Sequence, residues 1–368
     1  MLFQVSCSKI QTENSISESI SDGKNQTEFY DKNTFQGSPI MDKMSFNEQV
    51  EMYWKFFFGK KQTTPSTELP QESVDPNRLI SLDKDQLQVA WLGHSSLLIN
   101  TDGYTILTDP VLERRISPIG PTRFHKTLPL EVQDIPVIDV VLISHNHYDH
   151  LNKFSIQKLN ERTKQFFVPL KVGKKLQAWG VPAAKIVELD WWQEHEVDEY
   201  LTFAATPAQH FSGRGLFDRN KTLWASWVVL TPNHRLYFSG DSGYFDGFKA
   251  IGKKYGPFDA TFIECGAYNK RWSNIHMFPE QTVQAHIDLR GKILQPIHQG
   301  TFNLALHPWY EPMERLLAEA WQKGAELSMP VIGEIVNFQD RKAQKLWWKP
   351  AMQSEDLLIA DQMPATNL

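Results

Sequence analysis

The run Ser144-His145-Asn146-His147-Tyr148-Asp149-His150 places four side chains able to bind a metal within six positions. His145 and His147 are two apart, so an extended backbone turns both imidazoles to one side. Asp149 and His150 are adjacent and need a turn to reach the same region. Two cations fit this spacing better than one: the first on His145 and His147, the second on Asp149 and His150. Imidazole and carboxylate ligands suit zinc, iron or manganese, zinc being the commonest. Three further residues have the right setting. His210 follows a predicted strand ending at Thr206, Asp241 lies in Ser239-Gly240-Asp241-Ser242-Gly243, and His298 precedes Gln299-Gly300-Thr301. Each stands at the C-terminal end of a strand among small residues, a layout that gathers ligands at one rim of a sheet. A lone histidine in such a place is more often structural; beside the 145–150 cluster the metal reading prevails. Asp109, after another strand, is expected to orient an imidazole, the alternative being a turn-stabilising carboxylate. His94, after Gly93, can approach the same rim.

The elements that must position these groups follow from pattern. Apolar, β-branched runs predict strands at 87–92, 96–100, 104–109, 138–144, 166–169, 185–189, 201–206, 223–230, 235–239, 260–264, 293–297 and 330–335. Helices are expected at about 152–162, 172–179, 245–255, 279–290 and 311–323. Many strands with interspersed helices predict two sheets flanked by helices. Residues 1–45 are polar and read as a poorly ordered tail. Residues 46–85 read as an accessory aromatic helix and a linker, 86–345 as one large folded domain that holds the histidine cluster and 346–368 as a loose C-terminal tail.

Composition narrows the classes. The 368 residues carry a net charge of −5, which disfavours a nucleic-acid binder, and 41 % are hydrophobic, enough for a large core. Two cysteines build neither a disulfide framework nor a four-thiolate zinc site. All twelve histidines lie at or after position 94. No run approaches the roughly 18–20 apolar residues of a membrane helix. The Ser6-Cys7 pair resembles the end of a bacterial lipoprotein signal with its front missing. A cytoplasmic, membrane-associated protein is the expectation, with an envelope lipoprotein as the alternative.

The His-x-His-x-Asp-His cluster with its later His, Asp and His resembles the metallo-β-lactamase fold superfamily, from about 86 to 340. More narrowly, the chain looks like bacterial relatives of N-acyl-phosphatidylethanolamine-hydrolysing phospholipase D. Matching stretches are Trp91 to Ser96, Leu107 to Val111, Ser144 to Leu151, Gly240 to Tyr244, Gly256 to Asp259, Gly266-Ala267-Tyr268 with Arg271-Trp272, His276 with Pro279-Glu280, and His298 with Gly300-Thr301-Phe302. The resemblance implies an α+β fold, the αββα four-layer sandwich. It implies one zinc on His145, His147 and His210, a second on Asp149, His150 and His298, and Asp241 bridging both. His276 matches a family histidine near the substrate head group. Gln299, where the family usually has Trp, and Leu306-His307-Pro308, where an acid usually stands, depart from the pattern on the substrate side.

The chemistry expected is phosphodiester hydrolysis of the phospholipase D type on N-acyl-phosphatidylethanolamine-like lipids. Two cations roughly 3.5–4 Å apart can share a hydroxide near neutral pH. Asp241 would hold that spacing, Asp149 would accept a proton, and His276 would orient phosphate or protonate the leaving group. A lactonase or other ester hydrolase acting on a small polar substrate is the alternative within the fold. A non-enzymatic envelope or scaffold protein is the alternative outside it, and a full ligand set argues against it. Trp54, Phe56, Phe57 and Phe58 beside Lys55, Lys60 and Lys61 make an aromatic, basic surface suited to a membrane. Packing on the catalytic domain or a second subunit is the other reading. A homodimer is expected from the related enzymes alone.

Overall fold

The computed structural model describes residues 30–31, 34–36, 47, 50–51, 54, 62–80, 85–118, 120–340 and 346–354. In chain order the strands are β1 (Tyr30–Asp31), β2 (Thr34–Phe35), β3 (Leu87–Gly93), β4 (Ser96–Thr101), β5 (Tyr104–Thr108), β6 (Ile138–Leu142), β7 (Thr163–Pro169) and β8 (Ile186–Leu189). They continue as β9 (Glu194–Asp198), β10 (Leu201–Thr206), β11 (Ser226–Leu230), β12 (Arg235–Phe238), β13 (Phe258–Glu264), β14 (Gly291–Ile297), β15 (Glu326–Leu327) and β16 (Ile335–Asn337). The α-helices are α1 (Pro76–Ile80), α2 (Lys153–Leu159), α3 (Gly173–Ala178), α4 (Gly247–Tyr255), α5 (Pro279–Asp288) and α6 (Glu311–Lys323).

Two seven-stranded mixed sheets carry the fold, ordered β16-β3-β4-β5-β6-β7-β8 and β15-β14-β13-β12-β11-β10-β9. Each has an antiparallel half and a parallel half: β16 to β5 and β9 to β12 pair antiparallel, and the remaining neighbours pair parallel. Every residue of β3 is buried. Its alternate side chains explain why: Leu87, Val89 and Trp91 join the core shared with the second sheet, while Ala90 and Leu92 join the core shared with α2 and α3. A strand covered on both faces loses the alternating pattern and reads as a continuous apolar run. The expected αββα four-layer architecture is therefore present.

The sheets are joined close to the site. Trp227 of β11, fully buried, donates from Nε1 to the Ile143 carbonyl at 2.9 Å, one residue before the metal-ligand run. Trp227→Phe should keep most of the packing and lose that bond. A loss of about 1–3 kcal/mol in urea denaturation of the metal-free protein is the expected result.

Several expectations are corrected. The strand expected at 330–335 is instead β16 at Ile335–Asn337, with only an isolated bridge from Gln71 to Ile332 before it. β9, Glu-His-Glu-Val-Asp, was not foreseen because a polar edge strand carries no apolar run. α1 lies in the expected linker, whose Leu69 and Val74 are buried. Phe35, placed in the expected loose tail, is 1 % exposed, and its N–H donates to the Asn220 carbonyl. Trp347 and Trp348, also placed in a tail, are buried, with Trp347 6.4 Å from Trp91 between ring centroids. Of the accessory helix, Asn47, Val50, Glu51 and Trp54 are helical and exposed, and Glu51 pairs with Arg271 at 3.7 Å. Phe56, Phe57 and Phe58 fall outside the described residues, as does Cys7. Cys265 is a free, buried thiol. No helix among the described residues is long and apolar enough to cross a membrane.

Candidate metal centre

Strand ends of both sheets converge on one rim. His94 follows β3, Asp109 follows β5, His145 to His150 follow β6, His210 follows β10, Asp241 follows β12 and His298 follows β14. The backbone is left-handed at His94 (φ 54°), Asp109 (φ 33°) and His298 (φ 62°), conformations that cost energy outside glycine and concentrate at functional sites. Gly240, at φ +55°, lets the Asp241 turn approach closely: a Cβ there would sit 2.4 Å from Ser144 Cβ.

Two four-residue groups of ligand atoms form, each within 4.8 Å internally: His145, His147, His210 and Asp241, and His94, Asp149, His150 and His298; a smaller third set, Asp241, His276 and His298, overlaps them. In the first, His147 Nδ1 lies 2.8 Å from His145 Nε2 and 3.3 Å from His210 Nε2. In the second, Asp149 Oδ2 lies 3.0 Å from His94 Nε2, 3.4 Å from His298 Nε2 and 3.5 Å from His150 Nε2. Asp241 reaches both groups. Its Oδ2 is 3.1 Å from His150 Nε2 and 3.7 Å from both His145 and His210 Nε2, and its Oδ1 is 3.2 Å from His298 Nε2.

Hydrogen bonds behind the ligands fix which nitrogen faces inward. Asp109 Oδ2 holds His150 Nδ1 at 2.7 Å and accepts from the Ser144 hydroxyl, while its Oδ1 accepts from the Ser144 N–H. The Ile275 carbonyl holds His210 Nδ1 at 2.9 Å, and the Ser144 hydroxyl meets His145 Nδ1 at 2.9 Å. Asp109 is thus placed behind an imidazole. His94 is placed closer than a rim neighbour, in contact with Asp149.

Burial favours neutral imidazole and pushes His145 and His210 well down, His147 down to about 4 and His94 down to about 3. Burial also opposes charge on His150 and His298, but Asp241 and Asp149 outweigh it; His150 is held well above the usual value and His298 is raised to about 10. Burial likewise opposes charge on Asp149 and Asp241, yet His150 chiefly holds both well below the usual carboxylate range.

The residues fit a pair of divalent cations. His150 Nε2, His298 Nε2 and Asp241 Oδ1 are buried and meet only one another and the Asp149 and Asp241 carboxylates at 3.1–3.5 Å, in no well-formed hydrogen bond, and His298 Nδ1 is buried with no partner. Such a set is costly unless something satisfies it, and imidazole with carboxylate is a suitable donor set for transition metals. One consequence is measurable. In the metal-free protein Asp241 and Asp149 favour the protonated forms of His150 and His298, so both should carry protons at neutral pH that a cation must displace. Loading at pH 7 should release about two protons. Affinity should rise with pH until His298 has lost its proton. Calorimetric titration in buffers of different ionisation enthalpy reads the release; none would contradict this charge assignment.

His276 stands beside the ligands, its ring centroid 5.2 Å from His210 and 5.3 Å from His298. Behind it lies Glu264, fully buried at the end of β13. Its Oε1 is 3.4 Å from His276 Nδ1 and accepts from the Met277 N–H. Sequence reasoning missed Glu264, although an acid ending an apolar strand is the same signal that marked Asp109. It also missed Arg214. Arg214 Nη1 donates to the carbonyls of Asn146 (2.9 Å), His147 (3.2 Å) and Leu151 (2.6 Å), and its guanidinium lies 3.7 Å from the Tyr148 ring centroid.

Comparison with known proteins agrees with this geometry. A family model described as a Beta-lactamase superfamily domain matches residues 104–299. An uncharacterised protein of Mycobacterium tuberculosis is 45 % identical over 303 residues, 80 % of each chain. N-acyl-phosphatidylethanolamine-hydrolyzing phospholipase D 1 of Caenorhabditis elegans is 34 % identical over 303 residues, 76 % of this chain and 85 % of that protein. The isothiocyanate hydrolase from Delia radicum gut bacteria superposes with a TM-score of 0.55 at 19 % identity, over 68 % of this chain and 98 % of that one, a likeness of fold. With its His/Asp metal site, the chain is a metal-dependent hydrolase that belongs to the metallo-β-lactamase superfamily, with the N-acyl-phosphatidylethanolamine-hydrolysing phospholipases D as distant homologues.

Proposed function

We propose that the centre holds two zinc ions and hydrolyses the phosphodiester of N-acyl-phosphatidylethanolamine-like lipids, releasing phosphatidic acid. The observation that carries this reading is Asp241, a single carboxylate in contact with both ligand groups, in a chain that aligns with 85 % of such a phospholipase. Bound there, two cations supply Lewis acidity and a water acidified towards neutral pH. His145, His147 and His210 would hold one, His150, His298 and Asp149 the other, with Asp241 between them. Asp149 Oδ2, held at 3.0 Å by His94 Nε2, would be placed to take up a proton from a water bound there. His276, backed by Glu264, positions a phosphoryl oxygen or gives a proton to the leaving oxygen.

A small ester or lactone is the second reading, favoured by polar groups next to His298: Gln299 and Asn303 stand there beside Phe302, and Gln299 Oε1 and Asn303 Oδ1 are buried with no hydrogen-bond partner. Incubating the metallated protein with N-acyl-phosphatidylethanolamine, ordinary phospholipids and a lactone panel, with products identified by mass spectrometry, separates the two. Phosphatidic acid and N-acylethanolamine are expected. Ring-opened lactone with intact phospholipid would overturn the lipid reading. Absence of bound metal after zinc supplementation would favour the non-enzymatic scaffold.

A further inference from the structure

Leu216 and Phe217 are 91 % and 85 % exposed, consecutive on the loop between His210 and β11. Single exposed apolar residues are ordinary on a protein surface, and Trp321 is one here. An adjacent pair at a loop tip is different, the more so when the loop is held rigidly. Asp218 Oδ1 accepts from the N–H groups of Arg214 (2.9 Å) and Gly215 (2.7 Å), closing a tight turn beneath the tip. Gly213 N–H donates to Asn146 Oδ1 at 2.7 Å, and Arg214 joins the carbonyls of Asn146, His147 and Leu151. The base of the tip is therefore fastened to the run that carries His145 to His150.

Cations outnumber acids around the tip. Exposed Arg219 and Lys221 follow it on the loop, with Arg219 over the Phe211 ring at 4.2 Å. Lys175, on α3, is close enough to feel both Arg214 and Asp218. Asp218 alone opposes these cations within the loop, in a chain whose net charge is −5. A stable protein partner covers about 800 Å² on each side, far more than two side chains provide. A bilayer needs only apolar side chains that enter the interface and cations that meet its phosphates.

We infer that the loop Gly213–Lys221 docks the protein on an anionic lipid surface, with Leu216 and Phe217 entering the interface. Arg219, Lys221 and Lys175 then meet lipid phosphates, and the rim that holds the metal ligands is brought to the membrane. This rests on the lipid reading of the site for its purpose, but docking is measured without turnover, so each can fail separately. It is also independent of the segment 46–58.

The full-length metallated protein would be sedimented with vesicles of phosphatidylcholine alone and of equimolar phosphatidylcholine and phosphatidylglycerol. Binding is expected on the anionic vesicles, weakening as salt is raised. Leu216→Ser/Phe217→Ser should reduce partitioning at least about tenfold, with metal content and thermal midpoint unchanged. Arg219→Gln/Lys221→Gln should flatten the salt dependence. No wild-type binding to either vesicle would overturn the inference, as would wild-type binding by the serine variant. So would a serine variant that binds vesicles normally yet turns from dimer to monomer by light scattering, because the tip would then cover a second copy of the chain.

Discussion

Asp241→Asn is expected to lower affinity for both cations by more than about 100-fold, and turnover at least as far. Residues that merely support metal ligands typically cost 10–100-fold when changed. Asp241 does more than support: its two oxygens face four imidazoles drawn from both ligand groups. Asparagine keeps the shape, so the turn at Gly240 and the contact with Ser144 should survive. It removes the negative charge that offsets two cations, and it can present an N–H₂ group where a lone pair is needed. The charge balance changes without metal as well. Asp241 is the leading influence that raises His298 and His150 against burial, so the variant should release fewer protons on loading. Chelator competition, plasma emission and kinetics would be compared for the two proteins. A variant that holds two cations at wild-type affinity and rate would end the bridging assignment.

Much of the grouping of the candidate centre was legible because its residues obey a simple geometric rule. Asp109, His145, His210, Asp241 and His298 each follow a strand whose apolar run marks its own end. Parallel neighbours in a sheet bring such ends to one side, so proximity follows from topology. The supports were less legible because they depend on tertiary pairing. Arg214 meets the ligand run across 63 to 68 positions of chain. Nothing in Gly213-Arg214-Gly215 announces this. Glu264 meets His276 through the register of β13 and the turn that follows it. The ends of the fold were missed for a related reason. Phe35, Trp347 and Trp348 stand among polar neighbours with no periodic pattern, yet each is 7 % exposed or less. A side chain that fills a gap left by other elements leaves no local signature.

Arg214→Ala is expected to cost about 10–100-fold in metal affinity while leaving the rate per fully loaded centre close to wild type. The argument begins with the backbone. Beyond Leu142 the ligand run leaves the sheet, so its carbonyls need other donors. Arg214 Nη1 supplies three of these bonds from one planar group, and the same plane lies over the ring of Tyr148, in the middle of the run. Lysine offers three donors on a compact ammonium but no plane to stack, so Arg214→Lys should recover part of the loss. Alanine frees the run to sample conformations in which His145, His147, Asp149 and His150 no longer converge, and a cation must then restore the arrangement. The cost therefore falls on binding and is regained at saturating metal. Cobalt substitution would report the ligand geometry directly, and chelator competition the affinity. A variant with wild-type affinity but a raised KM would show instead that Arg214 contacts substrate. Loss of stability in the chelated protein alone would show that it only holds the loop.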